Sequence, residues 1–316
     1  MLRPVALLLF ALSSLASAVG DEPVRHRVLA ADRATGKIAI IGMDGNVEWE
    51  YPCKHDVHDL HLLPNGNILT HLNHTEVVEI NPKKEIVWKY QAQPREGYTG
   101  KIEIHAFQRL NDGTTMIAES GNGRIIEVDK GGKIVKQFPL ALKNPHYHRD
   151  TRMARVLTNG HYLVCHEGDG CVREYNSRGK LIWEFYLDLN DRPRSNGHGP
   201  EGHGVEVYGA VRLSNGNTLI AGGNNNRVLE VTPEKKIVWQ VDQKDLPGIT
   251  LAWVTTLQVL PNGHIIIGNC HAGKENPQLI EIDRKKRVVW TFNNQKEFGN
   301  NLASAQLLDV KGAVIR

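Results

Sequence analysis

The stretch Gly209-Ala-Val-Arg-Leu213, Ser214-Asn-Gly216, Asn217-Thr-Leu-Ile-Ala221, Arg227-Val-Leu-Glu-Val231 and Lys236-Ile-Val-Trp-Gln240 reads as four short strands divided by turns. Its aliphatic runs are of strand length, and Asn215-Gly216 supplies the positive φ that a tight hairpin needs. The turn recurs as Pro64-Asn65-Gly66, Asn111-Asp112-Gly113, Thr158-Asn159-Gly160, Pro261-Asn262-Gly263 and, degenerate, Val310-Lys311-Gly312. The six glycines are spaced 47, 47, 56, 47 and 49 residues apart. In step with them come Trp49, Trp88, Trp183, Trp239 and Trp290 in the last strand of the unit, with Lys136 at the equivalent place between Trp88 and Trp183. Four strands in such a period make one propeller blade, and a repeated indole suits a sheet that buries its face on the next.

The ends of the chain complete the count. Residues 26–51 hold only the last three strands of a unit: Arg27-Val-Leu-Ala30, Lys37-Ile-Ala-Ile-Ile41 and Val47-Glu-Trp-Glu-Tyr51. Residues 304–314 hold only a first strand and its turn. Joined, they form a sixth blade that closes the ring and removes its exposed edges. The expectation is an all-β, six-bladed β-propeller over residues 19–316, numbered here from the blade that begins near His58, with the composite blade sixth.

The first residues read as a secretory signal, with Arg3, the apolar run Val5–Leu12 and the small-residue site Ala16-Ser17-Ala18. The run is too short to span a membrane. An extracytoplasmic protein is expected, periplasmic or secreted, without a membrane span after cleavage and monomeric. The 38 basic and 35 acidic residues are nearly balanced, with no long run of one sign, so no nucleic-acid surface is expected. Export makes disulfides feasible among Cys53, Cys165, Cys171 and Cys270. Cys165 and Cys171 flank one hairpin turn, Cys53 and Cys270 lie in neighbouring blades of the ring, and the pairing stays open.

Strand direction then sorts the fifteen histidines. If the entrance of each first strand is called the top, the Asn-Gly turns are at the bottom, and the loops after second strands and the links between blades are at the top. His26, His161 and His264 belong at the bottom. The other twelve, including His55, His58, His105, His146, His148 and His166, belong at the top. So does the long link between blades 3 and 4, with Arg192, Arg194, His198 and His203, which reads as a connector. Counting back eight residues from each turn glycine gives one inner-strand position per blade: His58, His105, Arg152, Tyr208, Thr255 and Ser304. Around a channel these make a ring of convergent polar groups. Acids stand two places earlier in four blades, at Asp56, Glu103, Asp150 and Glu206, where they can orient imidazoles.

The segments His58-Asp-Leu-His-Leu-Leu-Pro-Asn-Gly-Asn-Ile-Leu69 and Gly216–Val231, closing on Ile237-Val-Trp239, resemble the repeats of PQQ-like (quinoprotein-type) β-propellers, particularly the arylsulfotransferase-like group. The resemblance covers about residues 26–314. It implies a channel imidazole that takes a sulfuryl group, with further His and Arg groups around its oxygens, at the matching positions His58, His105 and Arg152. Six blades argue against a bound quinone.

Three function classes follow. A group transferase or hydrolase would use His58, His105 and Arg152 as catalytic groups on a small anionic molecule or glycan, with Tyr208, Thr255, His166 and Arg149 binding substrate. A metal-assisted lyase or hydrolase of a polysaccharide or small ester would hold a divalent ion on channel histidines, His55, His146 and His148 foremost. A non-catalytic propeller would dock a peptide or glycan on its top face. No nucleophile elbow, P-loop or dinucleotide fingerprint supports the common hydrolase or nucleotide classes.

Overall fold

The computed structural model describes residues 25–316, so the expected signal segment lies outside the described residues. Twenty-four strands form six antiparallel sheets of four. Blade 1 runs His61–Leu62, Ile68–Asn73, Glu76–Ile80 and Ile86–Gln91; blade 2 runs Glu103–Arg109, Thr115–Ser120, Arg124–Val128 and Ile134–Pro139. Blade 3 comprises Ala154–Val156, Tyr162–His166, Cys171–Tyr175 and Leu181–Tyr186, and blade 4 Gly209–Arg212, Thr218–Ala221, Val228–Val231 and Ile237–Val241. Blade 5 is Trp253–Val259, Ile265–Cys270, Leu279–Ile282 and Val288–Phe292. In blade 6, Ser304–Leu307 pairs with Val28–Asp32, Val28 opposite Leu307 and Ala31 opposite Ser304, followed by Lys37–Ile41 and Val47–Pro52. The expected closure is therefore present. No helix among the described residues is long and apolar enough to cross a membrane.

Five of the bottom turns, ending in Gly66, Gly113, Gly160, Gly216 and Gly263, are three-residue hairpins, whereas the chain past Gly312 bridges through Ile315 to Val259 of blade 5. Leu213 accepts from the Gly216 amide at 3.0 Å and donates to Asn217 O at 2.8 Å, and Gly216 has φ 87°. Only the glycine is left-handed, the arrangement of a type I turn followed by a glycine bulge. The core lies as apolar wedges between neighbouring sheets, such as Ala106, Met116 and Phe138 of blade 2 against Tyr162, Val164 and Tyr175 of blade 3.

The indoles pack against the edges of these wedges, as the repeat predicts. They sit half-exposed at the bottom rim, and each of four donates its N–H to a carbonyl of the next blade: Trp49 to Pro82, Trp88 to Lys130, Trp183 to Pro233 and Trp239 to Arg284. Opposite the fourth-strand indole or lysine stands a third-strand glutamate in five blades, Glu79, Glu127, Glu174, Glu230 and Glu281, each beside a bulge. Three of these carboxylates pair across the blade junction with an arginine lying over the indole: Arg109, Arg212 and Arg284. Indole, carboxylate and guanidinium thus form a repeated clasp between blades. The bottom histidines serve the same carboxylates, His161 on Glu174 and His264 and His26 on Glu281.

All four cysteines are buried and free. The hairpin register sets Cys165 opposite Val172 and Cys171 opposite His166, so the two sulfurs point to opposite faces of the sheet and cannot bond.

Candidate functional site

The ring of inner-strand positions forms as the spacing predicts. His58, His105, Arg152, Tyr208, Thr255 and Ser304 are all buried. The His58 and His105 rings meet edge to face at 4.7 Å, Arg152 Nη1 donates to His58 Nε2 at 3.3 Å, and the Tyr208 hydroxyl reaches the His58 carbonyl at 2.9 Å. Below this ring the channel narrows to a cavity of about 30 Å³ bordered by Thr255, Ser304 and Arg316. Lower still it is filled by Asp59, which accepts both Nη groups of Arg155 at 2.8 and 2.9 Å, with His61 and Arg316 alongside. His61 therefore belongs to the channel interior and not to the top surface.

Above the ring opens a cup of about 220 Å³, walled by His58, His148, Arg152, Trp253, His198 and His271. His198, carried by the long link, stacks on Trp253 at 4.4 Å. The link is tied down by the Ser195–His203 bridge and by Arg194 on Glu206 at 2.5 Å. Arg33 and Asp56 pair at 2.8 Å on another side of the cup. A larger cleft of about 750 Å³ on blades 2 and 3 shares none of these histidines.

His148, which lines the cup, belongs to a compact donor set whose other members lie behind it, outside the cup's lining. Glu103 and His105 leave the first strand of blade 2 at its bulged start, between Ile104 and Ala106. Glu103 Oε2 lies 3.1 Å from His105 Nε2, 2.6 Å from His148 Nδ1 and 3.6 Å from His74 Nδ1. The first three atoms all fall within 4.8 Å of one another. Burial works against the Glu103 charge, but the contacts with His105 and His148 outweigh it and hold the carboxyl well below its usual range.

His105 decides what this set wants. Its Nδ1 is 3.0 Å from the Thr151 carbonyl, which can only accept, so Nδ1 carries the proton. Burial, then the Arg152 charge, pushes its pKa down to about 4. Near neutral pH the ring has that one proton, and its Nε2 lone pair faces a carboxylate oxygen. Two acceptors at 3.1 Å need a cation between them, a proton or a metal ion. A metal-bound imidazole orients itself in the same way, by donating its other N–H to a carbonyl. A tetrahedral site with bonds of about 2.0–2.1 Å spaces its ligand atoms about 3.3 Å apart. The His105 and His74 separations lie within a few tenths of an ångström of that figure, whereas the shorter His148 separation is a hydrogen bond that would have to open.

The other expected site residues fall differently. His146 accepts from the His148 amide at 3.1 Å and stacks on Tyr147, apart from Glu103. His55 packs edge-on against His74 and His71, with burial, then His74, pushing its pKa to about 4. His166 is saturated inside blade 3, Nδ1 on the Asp150 carbonyl at 2.7 Å and Nε2 by the Tyr175 hydroxyl at 3.0 Å. Arg149 is exposed, and the Thr255 hydroxyl borders the lower cavity without a partner. Of the four acids before the ring only Glu103 touches imidazoles; Asp56 and Glu206 pair with arginines, and Asp150 accepts the amides of His146 and Gly121. The pair Glu103-x-His105 was visible as two adjacent candidates, but nothing local tied it to His148.

No family model and no curated protein matches the chain. Among solved structures it is similar to a protein of unknown function from Bacteroides caccae, with 25% identity and a TM-score of 0.72 over 89% of this chain and 98% of that one. It is also similar to a streptogramin B lyase, with 13% identity and a TM-score of 0.58 over 85% of this chain and 82% of that one. A catalytically inactive histidine-to-alanine variant of virginiamycin B lyase from Staphylococcus aureus, solved with quinupristin, matches at 13% identity and a TM-score of 0.57, over 86% of this chain and 85% of that one. The likeness to the lyases is one of fold.

Proposed function

We propose that the chain is an extracytoplasmic, divalent-metal-assisted lyase or hydrolase acting on a small anionic molecule or glycan in the top cup. The observation that carries this is His105 Nε2 standing 3.1 Å from Glu103 Oε2 while its Nδ1 is held on the Thr151 carbonyl. Glu103 and His105 would hold the ion, with His148 and His74 as further donors. Imidazoles with one carboxylate suit zinc or manganese better than calcium or magnesium. Such an ion, when bound, acidifies a water or a substrate proton and polarises a coordinated oxygen.

The chain's own residues account for the rest. Arg152 uses three of its five N–H donors, on Glu167, His58 and His148, and has two left for an anionic group in the cup. Trp253 with His198 offers a flat surface to a ring. The fold likeness to lyases, one of them inactivated by losing a histidine, agrees with this reading. Sulfuryl transfer through His58 has less support, because its Nε2 takes the Arg152 bond and its Nδ1 is buried.

The test is metal content and zinc or manganese titration of the purified protein, repeated on Glu103→Gln and His105→Ala. About one ion per chain, lost in both variants together with activity on anionic oligosaccharides or esters, is the expected result. A folded protein that binds no ion, or binds it equally in both variants, would overturn the proposal and leave a docking scaffold.

A further inference from the structure

We infer, resting on that metal reading, that Arg152 is an anion-operated latch on His148, so that the ion and an anionic substrate bind cooperatively. A guanidinium only donates, so the 2.8 Å contact from Arg152 Nη2 makes His148 Nε2 an acceptor. The neutral ring then has its single proton on Nδ1, where it is donated to Glu103 Oε2 at 2.6 Å. With the latch closed, His148 offers a hydrogen at the place where an ion needs a lone pair.

For His148 to ligate through Nδ1, its proton must sit on Nε2. That N–H would then confront an Arg152 N–H across 2.8 Å, donor against donor. Arg152 has to let go. It can do so without leaving the site, because its Nε stays bonded to Glu167 at 2.5 Å while the Nη end borders the cup. An anion in the cup is a better acceptor for the guanidinium than a neutral imidazole, because full Coulomb attraction between opposite charges adds to the bond. An anion bound through the two free N–H groups draws the Nη end toward the cup and off His148, the imidazole changes tautomer, and a third ligand reaches the ion. Linkage makes the effect mutual, so the ion raises affinity for the anion by the same factor.

Inorganic sulfate serves as the probe anion, and zinc affinity is measured by chelator competition with and without it. Sulfate should tighten zinc binding about 5- to 150-fold, the usual span of such couplings. Arg152→Lys and Arg152→Met should bind zinc more tightly than the parent without sulfate and lose the sulfate effect. Imidazole ¹⁵N shifts of the unaltered protein give a readout that does not depend on either variant folding. His148 should carry its proton on Nδ1 in the free protein and on Nε2 with zinc and sulfate together. Equal zinc affinity with and without sulfate would overturn the latch and leave the metal reading standing. A sulfate effect that persists in the Arg152 variants would also overturn it, the anion then acting on the ion directly. Failure to bind zinc under either condition would remove both.

Discussion

Replacing Asp59 by alanine should destabilise the ring more than any surface change, and the size follows from what its carboxylate holds. Asp59 comes from blade 1, accepts both Nη groups of Arg155 from blade 3, and takes the Phe107 amide of blade 2 at 3.2 Å. His61 Nε2 stands 3.1 Å away, and the Arg316 guanidinium lies beside it. Alanine would leave the Arg155 charge in the closed channel next to a second cation. Breaking a buried pair by removing one partner costs about 3–5 kcal/mol. At about 2 °C per kcal/mol for a ring of this size, the melting temperature should fall by roughly 6–10 °C. Urea denaturation and calorimetry of Asp59→Ala, and of the double variant Asp59→Ala with Arg155→Met, measure this directly. The double variant should be less destabilised than the single one, because no charge is then stranded. Acid titration adds an independent check. Burial raises the Asp59 pKa, but Arg155 and His61 more than cancel it and hold the carboxyl below its usual range. Its contribution is therefore complete above the unfolded value of about 3.9 and is lost as pH falls toward the depressed folded value. A loss below about 1 kcal/mol in Asp59→Ala, or a double variant worse than the single, would refute the reasoning.

Three further outcomes are expected. At the seam between blades 5 and 6, burial lowers the His26 pKa, but its bonds to Glu281 and Asp309 outweigh that and raise it. Its stabilisation should be full below about pH 6.5 and fade as pH climbs through the raised folded value, and urea midpoints of the parent and His26→Gln should converge at high pH. Trp239→Phe removes the bond to the Arg284 carbonyl and weakens the stacking of that arginine at 4.4 Å, so it should cost about 1–2 kcal/mol by chemical denaturation. Gly223 has φ 56°, and a Cβ there would overlap the Glu206 carbonyl oxygen, whereas a Cβ at Gly160 meets open space. Gly160→Ala should therefore cost only the left-handed penalty of about 1–2 kcal/mol, and Gly223→Ala clearly more in the same assay.

The architecture was legible in the sequence because its determinants are local and repeated. Each Asn-Gly hairpin needs its own glycine, each fourth strand carries its own indole or lysine, and the three-plus-one division of strands at the ends dictates the closing blade. Counting back from the turn glycines even located the inner ring from His58 to Ser304, since a fixed hairpin fixes the register of the strand before it. The chemistry of that ring was not legible at the same level. Whether a histidine can bind an ion depends on which of its nitrogens holds the proton, and that is set by partners that only the folded backbone aligns with it: Thr151 for His105, Arg152 and Glu103 for His148, Tyr175 for His166. The same holds for the cysteines, whose separation is decided by the face each occupies, and for the channel, which Asp59 and Arg155 fill from two blades and Arg316 from the segment after the last strand. Turn and strand periodicity are properties of neighbouring residues, and one sequence is enough to read them. Hydrogen-bond polarity at a site belongs to atoms brought together only when the ring closes, so the tertiary structure alone decides it.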